Sequence, residues 1–147
     1  MIEIDWKAEA VKELRNYKFN VQGVKNLRDR IEILDAQLEG IRSPGSTEGA
    51  GSGRERDETY CDVITKRDNM RRRLSVIERE VQLIDKALSV LSQPERDALT
   101  IRYVNSEYNS IGHICSALHV ERTKAYSICA GALQHFSTAL FGLSAEK

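Results

Sequence analysis

Two heptad-spaced apolar columns, separated by a stretch that can support neither, constrain this chain more than any other feature. Val24, Leu27, Ile31, Leu34, Leu38 and Ile41 are spaced 3, 4, 3, 4, 3, and Met70, Leu74, Ile77, Val81, Ile84, Leu88 and Leu91 are spaced 4, 3, 4, 3, 4, 3. That spacing holds an apolar stripe on one side of a helix. Traced backwards, the second column passes Tyr60 and Val63 and meets Arg67, a polar break. The first meets Tyr17 but also Asn20, and Gly23 disfavours helix beside it. Trp6, Val11, Leu14 and Val21 follow helical spacing more loosely. Between the columns, residues 43–53 carry four of the nine glycines and no apolar side chain larger than alanine, which predicts a flexible loop over about 43–56. Neither stripe is stable in water, since each large apolar side chain gains about 1.5–3 kcal/mol on full burial. The two helices are therefore expected to fold back as a long antiparallel hairpin spanning 1–91. A hairpin has only two layers and leaves part of its stripe open, so a homo-oligomer, with a dimer favoured, is expected.

Ser92-Gln93-Pro94-Glu95 then interrupts the pattern. Serine followed three residues later by glutamate is a capping box, and proline fits the first helical turn. This predicts a helix over about 94–104, a turn over Asn105–Asn109, and two more helices at about 110–118 and 122–140. Ile111, Ile114 and Leu118 make an inward face on the first of these, with Cys115 a small residue beside it. Val120 plugs the turn, and Ala125, Ile128, Ala132, Leu133 and Phe136 continue the apolar face. A short helix, a three-residue turn with an apolar plug and a longer helix bearing a small residue at an early position form a helix-turn-helix pattern. Its second helix presents its leading end to a major groove about 12 Å wide.

From Leu91 to Phe136 the chain resembles region 4 of sigma-70 factors. The stretch Glu95, Arg96, Leu99, Arg102, Tyr103 is similar to the helix that precedes that family's helix-turn-helix. The whole layout, a charged helix, a Gly/Ser-rich break, a second long helix and a sigma-like C-terminal part, resembles the phage-encoded RinA/ArpU-type regulators of late transcription. The resemblance implies an all-α protein whose residues 92–147 form a DNA-binding domain. It also implies a sequence-specific transcriptional regulator, phage or prophage encoded, with double-stranded DNA and RNA polymerase as partners. Nothing matches the promoter-melting regions of a complete sigma factor, so initiation by this chain alone is not expected.

On the expected recognition helix, Arg122, Thr123, Lys124, Tyr126 and Ser127 occupy the first two turns. Arg122 suits a bidentate pair with guanine O6/N7. Thr123 and Ser127 suit base edges or phosphate, and Lys124 suits a phosphate. Where the resembled family usually has a turn glycine this chain has His119, which either takes a left-handed backbone or reshapes the turn, and the second helix is capped by Glu121. Lys plus Arg and Asp plus Glu both number 22, so net charge is zero and DNA contact must come from local placement of cations. From Ser92 onward there are five basic and five acidic residues, which implies modest affinity reinforced by a dimer or a polymerase partner.

Other readings carry less. Arg71-Arg72-Arg73, with Lys66 and Arg67 nearby, is either a phosphate patch or a solvated face, and the three directions of consecutive helical positions favour the second. His113, Cys115, His119 and Cys129 invite a metal, but 113 and 115 do not share a helix face, so no metal is expected. Tyr103, Tyr108 and Tyr126 read as core or rim packing. Three widely separated cysteines argue against a disulfide framework. No apolar run suits a membrane span, and Met1-Ile2-Glu3-Ile4-Asp5 does not read as a signal peptide; a cytoplasmic location in a bacterial host is expected. With no strand, no phosphate loop ending in Gly-Lys-Ser/Thr and no nucleophile–base spacing, neither catalysis nor a cofactor is expected. Two alternatives share much of this pattern: a DNA-packaging adaptor of the phage small-terminase kind, and a polymerase-binding interaction protein that does not touch DNA.

Overall fold

A computed structural model of the chain, which describes residues 3–42 and 53–142, is all-α. No strand occurs among the described residues. Helix α1 spans Trp6–Arg42 and α2 spans Gly53–Ser89; α3 covers Gln93–Leu99 and runs directly into a π-helical turn, Thr100–Val104. Helix α4 covers Ser110–Leu118 and α5 covers Arg122–Phe141. Gly23 does not interrupt α1. Most of the expected loop over 43–56 lies outside the described residues, but 53–56 begin α2, where Arg54, Glu55 and Arg56 are good helix formers.

The chain divides into two compact units, one made of residues up to Asn20 and from Glu80 onward, the other of Val21–Arg79. This division differs from an expected boundary at 91/92, and the core of the first unit gives the reason. Ala10 and Leu14 of α1 and Ile84, Ala87 and Leu91 at the end of α2 bury themselves with Leu99, Val104, Ala132 and Phe136. Trp6 packs against Phe141 with ring centroids 4.9 Å apart, an attractive tilted geometry. Tyr17 of α1 donates a hydrogen bond to Asp85 of α2. Burial and the adjacent carboxylate push the Tyr17 hydroxyl up to about 12.

A second core in the same unit joins Ala98, Ile111, Ile114, Ala125 and Cys129, with Ile101, Cys115, Leu118, Val120 and Ile128 packed on it. Helix α5 therefore serves two cores. Its first turns hold α4, and Ala132, Leu133 and Phe136 hold the first core. Helical spacing alone puts Ala125, Ile128, Ala132, Leu133 and Phe136 on one continuous face. The π-helical turn shares this double duty, because Ile101 belongs to the second core while Tyr103 and Val104 belong to the first.

In the other unit, Val24, Ile31, Leu34 and Leu38 are buried, while Met70, Leu74 and Ile77 of the facing column are half-buried. Arg28 pairs with Glu78 at 2.6 Å, and Arg67 pairs with Asp35 at 3.2 Å. Advancing along α1 thus means retreating along α2, which is antiparallel pairing. Arg67, the polar break in the second column, is satisfied from across by Asp35 and from its own helix by Asp68 at 3.3 Å.

Candidate nucleic-acid interface

Helix α3 begins at Ser92, whose backbone N–H and hydroxyl both donate to the Glu95 carboxylate, at 3.2 and 3.0 Å. The other oxygen of Glu95 lies 2.5 Å from Nδ1 of His135 on α5. Burial pushes the Glu95 carboxyl up, but His135 and the two Ser92 donors outweigh it and hold the group below the ordinary carboxylate range. The serine is tied to the carboxylate and not to the imidazole, an arrangement that orients α5 on α3 and does not prepare a nucleophile.

Asn105 closes the π-helical turn by donating to the Thr100 carbonyl at 2.8 Å. Ser106 and Asn109, at φ 49 and 55, then reverse the chain into α4. Asn109 folds its side chain over Gly112, where an added Cβ would come within 2.4 Å of the amide nitrogen. Helix α4 ends at His119, at φ 55 and ψ 47; of the two outcomes open to this position, the residue takes the left-handed backbone and the turn is not reshaped. The N–H groups of His119 and Val120 both donate to the Cys115 carbonyl, closing the helix end. Val120 then packs on the second core.

Glu121 holds the extended conformation of a helix cap, but its side chain makes no capping bond. No acidic residue follows in the first turn of α5. The leading end of this 20-residue helix therefore presents N–H groups with no side-chain cap, together with the positive end of the helix dipole. Arg122, Thr123, Lys124, Tyr126 and Ser127 are all exposed here, while Ala125 between them is fully buried and Ile128 and Cys129 pack inward. All five site residues named from the sequence are thus exposed on the first two turns of α5.

A sixth residue joins them that the α5 pattern does not reveal. Arg102, from the π-helical turn, places its guanidinium 5.5 Å from the Tyr126 ring and 5.5 Å from the Tyr103 ring. Arg122 lies 5.8 Å from the Tyr126 ring, with a long contact of 3.5 Å to its hydroxyl. Tyr126 thus anchors two guanidiniums by cation–π attraction. Spacing within one helix cannot report an arginine contributed by another; the clue available in the sequence was its place at the end of the preceding helix.

The remaining sequence candidates separate. Cys129 is buried and Cys115 half-buried in the second core, His113 lies 3.7 Å from Glu107, and His119 forms the turn. Among the described residues no three His, Cys, Asp or Glu side chains converge as metal ligands. Tyr103 packs on the first core, and Tyr126 sits at the rim. Tyr108 departs from the packing role expected of it: it is 97% exposed, because the turn before α4 carries it away from both cores. No helix among the described residues is long and apolar enough to cross a membrane. Searches against protein families, curated proteins and solved structures find no match to this chain.

Proposed function

We propose that this chain is a sequence-specific DNA-binding regulator of transcription, phage or prophage encoded. In this reading α4, the turn at His119 and α5 act as a sigma-region-4-like helix-turn-helix of the RinA/ArpU type, carried by an antiparallel helical hairpin. One observation carries the reading. The leading two turns of α5 expose Arg122, Thr123, Lys124, Tyr126 and Ser127 together, on a helix whose opposite side is fixed in two cores. A rigid helix with an open, uncapped N-terminal end is the part such readers place in the major groove.

Each residue then has a role by its chemistry. Arg122 reads a guanine through its fork of donors, with Tyr126 holding the guanidinium in place. Thr123 and Ser127 contact base edges or backbone, and Lys124 neutralises a phosphate. Arg102 adds a second cation beside Tyr126. Binding, not catalysis, is the activity. Leu74 and Ile77, only partly covered, support a dimer that reinforces a modest single-site affinity. RNA polymerase is a proposed second partner on the same resemblance.

The test is a binding titration with phage and host promoter fragments. Arg122→Ala is expected to weaken binding to the preferred site by about 1–3 kcal/mol and to relax the preference at one base pair. Lys124→Ala is expected to weaken all sequences alike and to lower the salt slope by about one. Equal binding by wild type and both variants would remove these roles. A protein that retards no fragment at about 50 mM salt, where counterion release favours binding most, would instead point to a polymerase-binding partner without DNA contact. Sedimentation gives the assembly: a dimer fits the regulator, whereas a ring of many subunits fits a DNA-packaging adaptor.

A further inference from the structure

The two sides of the α1–α2 pairing within Val21–Arg79 are charged very differently. One is cross-linked by opposite charges: Arg28 with Glu78, and Asp35 with both Arg67 and Arg71, the last at 3.5 Å. Elsewhere in the same unit a groove of about 510 Å³ is lined by Leu27 and Arg30 of α1 and by Lys66, Asn69, Met70 and Arg73 of α2. It has three cations and no carboxylate in its lining. Among the described residues, none of the three is paired with an acid.

The local sequence explains why they stay uncompensated. A helical cation finds its partners three or four residues away. Around Arg30 those positions are Asn26, Leu27, Ile33 and Leu34; around Arg73 they are Asn69, Met70, Val76 and Ile77. Neither arginine has an acid within reach on its own helix, and only Lys66 has one, Asp62. Three like charges around one groove repel each other, and nothing in the packing of Leu27 and Met70 requires them. Arg30 comes from one helix, and Lys66 and Arg73 stand two turns apart on the other, about 10 Å along its axis. That spread suits successive phosphates of a strand better than one small anion.

We propose that this groove is a second DNA contact, one that binds the phosphodiester backbone without reading sequence. The inference rests on the DNA-binding function proposed above and extends it to a surface outside α4 and α5. It also divides the Arg71-Arg72-Arg73 run by role. Arg71 pairs with Asp35, Arg72 donates to Asn69, and Arg73 alone faces the groove.

The experiment compares the full-length wild type, the triple variant Arg30→Gln, Lys66→Gln, Arg73→Gln, and the double variant Arg122→Ala, Lys124→Ala. Each is titrated with a mixed-sequence duplex from about 50 to 200 mM salt. The triple variant is expected to bind about tenfold or more weakly at the low end, equally for all sequences, with the log–log salt slope reduced by about two to three. Glutamine keeps part of each aliphatic stem, and no ion pair is lost, so the triple variant should melt at or above the wild-type temperature. An unchanged slope in the triple variant, with binding lost in the double variant, overturns the groove and leaves the α5 reading standing. Loss in the triple variant with an unaffected double variant supports the groove and overturns the α5 reading. Inorganic pyrophosphate provides a further arm. If it raises the melting temperature of the wild type but not of the triple variant, while the duplex slope stays the same, the groove takes a small anion and the DNA contact is refuted.

Discussion

His119 sits at φ 55, where a side chain with a Cβ is strained by about 1–2 kcal/mol relative to right-handed backbone. Its imidazole is exposed and outside both cores. His119→Gly should therefore raise unfolding stability by about 1 kcal/mol, read as a higher denaturant midpoint with an unchanged slope; a lower midpoint would contradict the strain. Tyr17 gives a pH-dependent prediction. Its hydroxyl is neutral when protonated and its folded pKa is raised to about 12 from 10. Its contribution is then complete below pH 10 and disappears as pH rises toward 12. The stability difference between wild type and Tyr17→Phe should shrink across that window; a constant difference from pH 8 to 12 would show that burial and Asp85 do not raise this hydroxyl's pKa. Glu95 works in the opposite direction. Its depressed carboxyl stabilises the fold above its ordinary pKa of 4.5, and that stability is lost as pH falls below it.

At the scale of elements, the columns of Val24–Ile41 and Met70–Leu91 showed both long helices, because a 3–4 repeat has few other structural meanings. The Ser92–Glu95 box marked the start of α3, and the spacing of Ile111, Ile114, Leu118 and Val120 marked α4 and its turn. Three things were not legible. The π-helical turn at Thr100–Val104, closed by the i+5 hydrogen bond from Asn105 to Thr100, is encoded by no side-chain pattern. Ile101 and Tyr103 serve different cores, whereas a periodicity argument assumes a single buried face. Arg67 read as a flaw in its column, since its partner Asp35 lies 32 residues away in sequence. That pair gives a prediction for the element. Asp35 is 43% exposed, so screening keeps its worth small; Asp35→Ala should lower stability by about 0.5–1 kcal/mol. A loss on Arg67→Ala much greater than on Arg67→Met, which keeps an apolar stem, would show that the arginine stem, and not its charge, holds the helices together.

The whole molecule has zero net charge, so its proposed function depends on where cations stand and not on how many there are. The exposed set at the start of α5 was readable because it lies on one helix next to a recognisable turn. Arg102 and the groove of Arg30, Lys66 and Arg73 were not, because each depends on which helices come together. The boundary of the first unit was hidden for the same reason: Ala10 and Leu14 join a core whose other members lie more than 60 residues further along the chain. The proposed function stands or falls with the leading end of α5 as a DNA-contacting surface. Backbone amide shifts of the labelled full-length protein, followed during titration with a duplex at about 50 mM salt, test it most directly. Residues 122–127 and Arg102 are expected to move together and saturate. Saturable binding that leaves those residues unmoved would contradict it.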